Sequence, residues 1–428
     1  MRHLHALVSS AVLAATLLAP GGAADAAPPT CQGERATIVG GPDTDADGTG
    51  RDDVIVTNGS RTANGRAGND LICVTKAGAR VDAGSGNDTV VSRVTDHVPG
   101  GGTSLGFGDD LYLGSEGRDE VYPGAGRDVV RTFGGPDTVV LGSGEPPTTV
   151  DLGAGDDVVR LYRRSGGVDG GPEGRARVDG GPGTDTVRIA LRHSRTAEVW
   201  RFDAVRGLAQ VNGQTLLRWA DLQSYDLTQL FGGDIQVVFR GGPAAETVDL
   251  GVRFSGASRR VRMRLGDGAD EVRVDGRDRG SVDLGAGRDL LTFHGGRSAV
   301  IHLASQRAEL AHLDGSTNRF RMASVDDVTT VEVDDVRVVG DVHDNSVRAE
   351  LVCTARLGGG GGDDRLGVEP RSCEGDQSIS LAGGPGDDVL VGGFLDDLLD
   401  GGRGDDIANG GGGLDTCYAE IAEQCELP

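Results

Sequence analysis

Residues 383 to 418 read GGPGDDVLV GGFLDDLLD GGRGDDIAN GGGGLDTCY, which is four blocks of nine residues. Glycine pairs open the blocks, and Asp388, Asp397, Asp406 and Asp415 all stand at the sixth position. A fixed nine-residue period is typical of a repeat architecture. The stretch therefore predicts one small structural unit that is repeated along an axis.

Each block combines a turn with a short strand. Consecutive glycines let the backbone adopt positive φ and turn tightly, and the last three positions suit a strand with one inward apolar residue. Two blocks then make one coil of about 18 residues, and each loop lies over the loop two blocks later at a sheet spacing of roughly 4.8 Å. We therefore expect Asp388 against the loop of Asp406, and Asp397 against the loop of Asp415.

Aspartates stacked this closely repel one another unless a cation lies between them. Carboxylate oxygens and exposed glycine carbonyl oxygens form the hard-oxygen ligand set that suits calcium. We interpret these loops as calcium half-sites. The alternative is a metal-free β-solenoid that uses Gly-Asp only as turn chemistry.

The stretch resembles the haemolysin-type, or RTX (repeat-in-toxin), calcium-binding nonapeptide family, whose pattern is Gly-Gly-x-Gly-x-Asp-x-apolar-x. The first and third blocks fit at the defined positions, except that the eighth position of the third is the small Ala408; in the second block Leu395 replaces the fourth-position glycine. The resemblance implies an all-β, right-handed parallel β-roll or β-helix solenoid that holds calcium between successive turns. The implied C-terminal ligands are Asp364, Asp388, Asp397, Asp406 and Asp415, with Gly384, Gly386, Gly393, Gly402 and Gly404.

Weaker copies of the pattern occur earlier in the chain. Residues 105 to 140 repeat every nine residues with a fourth-position glycine, but the opening glycines are mostly lost. This run adds Asp110, Asp119, Asp128 and Asp137 to the predicted calcium ligands, and the earlier copies NGRAGNDLIC and VDAGSGNDTVV add Asp70 and Asp88, which are one coil of eighteen residues apart. Isolated matches, which lack an obvious stacked partner and are compatible with turns alone, occur at Asp157, Asp185, Asp270, Asp289 and Asp364.

Two longer apolar stretches, starting at Val199 and at Val300, look like copies of each other. Their alternating segments predict strands, so we expect wider, metal-free coils within the same solenoid. Trp200 and Trp219, the only tryptophans, could stack on sugar rings as in a glycan-binding module, although burial is the more common fate. A groove with Asp, Arg and aromatic side chains across 199–349 would instead indicate an enzyme.

The composition suits a quasi-one-dimensional fold. With 73 glycines in 428 residues and only 4% aromatic residues, no large aromatic core can form, but each coil needs only a few inward Val, Leu or Ile residues. The net charge of -24 argues against DNA and anionic membranes as partners.

The first 26 residues have the features of a secretory signal peptide. A basic start precedes an apolar run over residues 6–19, and Ala24-Asp25-Ala26 offers a small-x-small cleavage site. No later stretch is long and apolar enough to span a bilayer, so we expect a secreted, extracellular protein. Six cysteines in an oxidising compartment favour disulfides. Pairing nearest neighbours predicts Cys31 with Cys73, Cys353 with Cys373 and Cys417 with Cys425.

These features together predict six segments and a function. The segments are a signal peptide (1–26), an N-terminal RTX-like β-roll (27–190), metal-free coils (191–264), degenerate RTX-like coils (265–293), a second metal-free stretch (294–349) and a C-terminal calcium-binding β-roll (350–428). We expect a secreted calcium-binding rod with a structural or adhesive role and no catalytic residues, whose partners are calcium ions and an extracellular glycan or cell surface. The alternative is a polysaccharide lyase or epimerase.

Overall fold

The computed structural model describes residues 28–76, 78–95, 101–142, 147–163, 176–194, 197–232, 234–251, 259–312, 314–374 and 377–426. The predicted signal peptide lies outside these residues. Every regular secondary-structure element in the described ranges is a β-strand, and there are 40 of these strands.

The N-terminal part of the chain supplies the first eighteen strands. They are β1 (Thr30–Cys31), β2 (Glu34–Arg35), β3 (Ile38–Val39), β4 (Ala46–Asp47), β5 (Val54–Val56), β6 (Thr62–Asn64), β7 (Leu71–Val74), β8 (Arg80–Asp82), β9 (Thr89–Ser92), β10 (Thr103–Ser104), β11 (Leu111–Ser115), β12 (Glu120–Tyr122), β13 (Val129–Phe133), β14 (Thr138–Gly142), β15 (Thr149–Asp151), β16 (Val158–Arg163), β17 (Ala176–Asp179) and β18 (Thr186–Ser194).

The strands become longer in the middle of the chain and shorter again near its end. The middle strands are β19 (Glu198–Asp203), β20 (Leu208–Val211), β21 (Gln214–Ala220), β22 (Ser224–Gly232), β23 (Ile235–Arg240), β24 (Thr247–Asp249), β25 (Arg259–Asp267), β26 (Glu271–Asp275), β27 (Arg279–Ala286), β28 (Leu290–His302), β29 (Arg307–Ala311), β30 (Thr317–Ala323) and β31 (Asp327–Asp341). The last strands are β32 (Ser346–Val352), β33 (Thr354–Gly360), β34 (Arg365–Pro370), β35 (Ile379–Pro385), β36 (Val389–Val391), β37 (Asp397–Arg403), β38 (Ile407–Asn409), β39 (Thr416–Tyr418) and β40 (Ile421–Glu423).

The chain forms a parallel β-solenoid of about 17 turns, which confirms the predicted fold class. Each turn contributes one strand to each of two sheets, so that β11 pairs with β9 and β13 while β12 pairs with β10 and β14. We call the sheet that contains β11 sheet one and the sheet that contains β12 sheet two. The long strands β28 and β31 pass through both sheets.

The core is a set of columns of inward side chains between the two sheets. One column in sheet one runs from coil to coil through Ile55, Ile72, Val90, Tyr112 and Val130, each of them at most 2% exposed. Fully burying such a side chain contributes about 1.5–3 kcal/mol. A short strand with one inward apolar residue therefore suffices for each turn, as the block pattern predicts.

The two apolar stretches are antiparallel insertions in sheet one, where we expected wider parallel coils. In the first, β20 pairs antiparallel with both β19 and β21; in the second, β29 pairs antiparallel with both β28 and β30. The first insertion reverses direction at Asn212-Gly213, where both residues have positive φ (49° and 84°). Asn-Gly between alternating segments is a strong hairpin signal, which explains the departure from a parallel coil.

The interior of the first insertion holds a local aromatic cluster. Trp200 stacks on Phe202, Phe202 on Phe239, and Tyr225 lies edge-on to Phe239 with ring centroids 4.8 Å apart. Trp200 is fully buried and Trp219 is 8% exposed. The prediction that both tryptophans are buried is confirmed, and the alternative that they form an exposed platform for sugar rings is wrong.

Three disulfides staple the solenoid, and the predicted pairing is confirmed. They join Cys31 to Cys73, Cys353 to Cys373 and Cys417 to Cys425. In the part of the chain that the structure describes, no helix has the length and apolar character needed to cross a membrane.

One buried ion pair lies inside the solenoid beside the start of β25. The Arg259 guanidinium donates to both carboxylate oxygens of Asp278 at 2.8 and 2.7 Å and to the Leu250 carbonyl oxygen at 2.6 Å. Its neighbour Arg260 points outward and is exposed. The two consecutive arginines thus form a matched pair that differs in burial.

We predict that Arg259→Ala lowers the free energy of unfolding by about 3 kcal/mol or more, because it removes charge-assisted hydrogen bonds from a buried carboxylate. Arg260→Ala should change it by less than about 0.5 kcal/mol. Urea denaturation followed by circular dichroism measures both. Equal effects of the two substitutions would contradict a structural role for the buried pair.

Candidate metal site

The sixth-position aspartates stack along the solenoid axis as predicted. The backbone N–H of Asp388 donates to Oδ1 of Asp406 at 2.8 Å, and that of Asp397 donates to Oδ1 of Asp415 at 2.8 Å. Each of these two carboxylates therefore accepts a hydrogen bond from the backbone of the preceding coil. We call this column of side-chain to backbone bonds the inner ladder.

The inner ladder extends through most of the described chain, with N···O distances between 2.7 and 3.1 Å. Its accepting carboxylates are Asp70, Asp88, Asp110, Asp128, Asp137, Asp157, Asp185, Asp270, Asp289, Asp364, Asp388, Asp406 and Asp415. All eleven aspartates that the sequence predicts as calcium ligands are at most 5% exposed, and the structure brings each of them into the ladder as donor or acceptor.

The isolated matches have stacked partners after all. Asp157 accepts from Asp137, which is 20 residues earlier, and Asp185 accepts from Asp157 across 28 residues. Asp388 accepts from Asp364 across 24 residues. Their partners are hidden in the sequence because coil length varies while the turn geometry stays constant.

The predicted glycines allow the loops to stack in contact. Gly384, Gly386, Gly402 and Gly404 all have positive φ, between 111° and 146°. A Cβ on Gly404 would overlap the carbonyl oxygen of Gly386 in the adjacent coil. The fifth predicted glycine has a different role, since the N–H of Gly393 donates to Oδ2 of Asp397 at 2.6 Å.

Most ladder carboxylates keep one buried oxygen that has no hydrogen-bond partner among the described residues. These atoms are Oδ2 of Asp70, Asp88, Asp110, Asp137, Asp157, Asp185, Asp270, Asp289, Asp364, Asp388, Asp406 and Asp415, Oδ1 of Asp397, and Oε2 of Glu246. A buried carboxylate oxygen without a partner disfavours the ionised form. A cation or a proton would relieve this cost.

Burial shifts the proton affinity of these groups accordingly. Desolvation, reinforced by neighbouring carboxylates, raises the pKa of Asp110 and Asp364 to about 7. Desolvation raises the pKa of Asp137 to about 8, with the carboxylates of Asp119 and Asp157 adding to the shift. These carboxyl groups therefore favour binding a proton or a cation.

The surroundings of the free oxygens fit a hard cation. A Cβ on Gly383 would overlap both Oδ2 of Asp388 and the carbonyl oxygen of Gly401 in the next coil. A carboxylate oxygen and a carbonyl oxygen thus converge beside the opening glycine, and such oxygens suit calcium. In the described ranges, no three His, Cys, Asp or Glu side chains form a metal-binding group, so a site here would depend on backbone carbonyls.

A second column, the outer ladder, runs beside the first on the exposed side of the turns. The side-chain oxygen of Asp387 accepts the N–H of Asp405 in the following coil at 2.9 Å, so this ladder runs opposite to the inner one. Asn69 and Asn87 accept the same type of hydrogen bond in the outer ladder through their side-chain oxygens. A neutral amide therefore suffices at the fifth position.

The nine-residue pattern does not predict the side chains that complete the inner ladder. Near its start, Thr37 Oγ1 donates to Oδ1 of Asp53 at 3.2 Å. Further along the ladder, the Tyr112 hydroxyl donates to Oδ1 of Asp119 at 2.7 Å. Near its end, the carboxylates of Glu420 and Glu426 accept the N–H groups of Asp406 and Asp415.

Two variant ladder positions were also missed, although the repeat register contains a signal for them. Glu246 is the sixth residue of GGPAAETVD, and Asn345 is the sixth residue of GDVHDNSVR. Both donate their backbone N–H to the next ladder carboxylate at 2.8 Å. The inner ladder thus accepts a longer acid and an amide.

Comparison with protein-family models and with curated protein sequences finds no match for this chain. The resemblance to the calcium-binding nonapeptide family therefore depends on the repeat residues alone.

We predict that the metal-free protein loses stability as the pH rises from about 4 to about 8. Folded ladder carboxyls such as Asp110 (pKa about 7) and Asp137 (pKa about 8) keep their protons above the ordinary value of 3.8, so the folded state binds more protons in this window. Urea midpoints measured in a chelator at several pH values test this. Asp137→Asn should flatten the dependence, whereas Asp151→Asn on the exposed face of β15 should not. A midpoint that rises with pH would contradict the prediction.

Proposed function

We propose that this protein is a secreted calcium-binding solenoid with a structural or adhesive role outside the cell. The observation that carries the proposal is the column of buried carboxylate oxygens without partners, which repeats from coil to coil beside glycine carbonyl groups. Buried anions in such a column need compensating positive charge, and calcium accepts this oxygen-only ligand set.

The residues that would hold calcium are the sixth-position aspartates and the loop glycines around them. Asp388, Asp397, Asp406 and Asp415 offer the most regular set, since their blocks follow one another without insertion. Calcium would supply positive charge between coils. The Oδ1 atoms of Asp406 and Asp415 already fix the loops through the backbone of the preceding coil, so the chain itself pre-organises the remaining oxygens.

Two further features support an extracellular location. The described chain contains three disulfides, which persist in oxidising compartments. Residues 1–26 have the pattern of a signal peptide. Extracellular calcium modules bind the ion at about 10⁻⁴ to 10⁻³ M, so such a site fills after export.

The enzymatic alternative receives less support. It required Asp, Arg and aromatic side chains to share a groove within residues 199–349. The aromatic side chains with described burial in this range, including Trp200, Trp219, Phe239, Phe293 and Phe320, are at most 8% exposed. The rings of these described residues fill the interior and are not available as an aromatic surface for a substrate.

Calcium titration of the full chain should raise thermal stability with a midpoint of about 10⁻⁴ to 10⁻³ M. Without calcium, charge repulsion along the ladders should expand the repeat runs and increase the hydrodynamic radius. Circular dichroism and light scattering, with magnesium as the control ion, provide the measurement. A spectrum and radius that do not respond to chelation would overturn the calcium proposal.

Single substitutions separate a calcium ligand from a turn residue. Asp406→Asn keeps an oxygen that can accept the Asp388 N–H, but it removes the anionic charge. Asp405→Asn removes the same charge one residue earlier, at an exposed side chain. We expect calcium affinity, measured by isothermal titration calorimetry, to fall about tenfold or more for Asp406→Asn, because the loss of an interaction with a charged group is worth roughly 1.5–3 kcal/mol. Asp405→Asn should change it little; equal losses would show that the ion senses only overall charge.

A further inference from the structure

Arginines accumulate on the outer face of sheet one in the middle of the chain. In β25, Arg260, Arg262 and Arg264 are exposed and alternate with buried Val261 and Met263. β30 repeats the pattern, with exposed arginines on either side of a buried phenylalanine. Because side chains alternate across a strand, all these guanidinium groups project from the same face.

Strand pairing aligns the arginines along the solenoid axis. Arg240 lies beside Arg264, and Arg260 lies beside Arg279. Arg262 lies two strands from Arg321, with Ser281 between them. The columns therefore offer positive charges at spacings of about 4.8 Å or twice that distance.

The Arg240–Arg264 and Arg262–Arg321 columns line an open groove of about 950 Å³, whereas Arg260 and Arg279 are not among its lining residues. Arg240, Arg262, Arg264 and Arg321 contribute to its lining, together with Ser281. The groove extends across β23, β25, β27 and β30, so its length follows the axis. A linear ligand would fit this direction.

The charge of this face is opposite to that of the chain as a whole. Its outward charged side chains on β19, β23, β25, β27 and β30 are Arg201, Arg240, Arg260, Arg262, Arg264, Arg279, Arg319 and Arg321, against Asp203, Asp267 and Asp283. Asp203 lies 3.7 Å from Arg240. Arg262, Arg264 and Arg321 form no ion pair with any described residue.

We propose that this groove binds a linear acidic polysaccharide, with carboxylate or sulfate groups held by the arginine columns. Planar guanidinium groups donate two parallel hydrogen bonds to such groups. Ser281, Asp267 and Asp283 also line the groove and suit sugar hydroxyls, which donate to carboxylates. None of these residues belongs to the inner ladder, so the groove and the proposed calcium sites use different side chains.

The same features disfavour single-stranded nucleic acid. Proteins that bind it combine positive charge with exposed aromatic side chains on which the bases stack. On β25 and β30, the aromatic residue Phe320 is buried. The aspartates in the groove can accept hydrogen bonds from free sugar hydroxyls, which the phosphodiester backbone of DNA lacks.

The test compares the full-length protein with two double variants in calcium-containing buffer. Binding is measured by isothermal titration calorimetry to polygalacturonate, dextran sulfate, neutral dextran and a single-stranded oligothymidylate. Arg262→Gln/Arg264→Gln changes the groove. The control is Arg61→Gln/Arg80→Gln, which makes the same change in charge on sheet two. Arg61 directly precedes β6, Arg80 is the first residue of β8, and both side chains are exposed. Thermal melts verify that both variants are folded.

We expect the wild type to bind at least one of the two acidic polymers and not neutral dextran. The groove variant should lose affinity by about tenfold or more, because two charge-assisted contacts are removed, while the control changes by less than about twofold. The affinity of Arg262→Lys, which keeps the charge but loses the planar guanidinium group, should lie between those of the groove variant and the control.

Comparison of the affinities for polygalacturonate and dextran sulfate shows whether the groove prefers carboxylate or sulfate groups. Absence of binding to both polymers would overturn the proposal, as would equal losses in the two double variants. Tighter binding to oligothymidylate than to either polysaccharide would assign the groove to nucleic acid instead. Since calcium dependence is measured separately, failure here leaves the calcium proposal standing, and the reverse also holds.

Discussion

The hydrogen bond from a backbone N–H to the carboxylate of the next coil is the interaction on which this solenoid depends. It recurs at 2.7–3.1 Å whether the two residues are separated by 17 or by 28 positions. The turn is therefore the constant element, and the strands on either side adapt to it. Parallel pairing and the inward columns of Val, Leu and Ile follow because the turns hold successive coils in register.

This bond uses only part of each carboxylate, which creates an electrostatic problem at the same place. The remaining oxygen is buried, and water cannot reach it. The chain relieves the cost locally where it can: Tyr112 donates to Asp119, and Asn345 places an amide in the column. Elsewhere the oxygen needs a proton or a cation, so the scaffold and the candidate metal site are the same set of atoms.

The sequence predicts those features that depend on local spacing. The nine-residue register predicts the solenoid and the stacking of Asp388 on Asp406, and the order of the cysteines predicts their pairing. It could not reveal the partners of Asp157 or Asp185, because coil length varies. The arginine groove was missed for two reasons. The net charge sums over the whole chain and hides a local group of arginines, and Arg262 and Arg321 become near neighbours only through sheet pairing. The Asn212-Gly213 hairpin carried a clear local signal that the repeat pattern overshadowed.

The variable length of the coils allows new segments to be added without disturbing what lies on either side. Both antiparallel insertions enter sheet one, and sheet two continues past them through β22, β24 and β26. The strands β23, β25 and β27 lie between these insertions, and they are the strands that carry most of the groove. A solenoid of this kind can therefore evolve a specialised surface at its centre by lengthening individual coils, while the neighbouring coils keep their pairing.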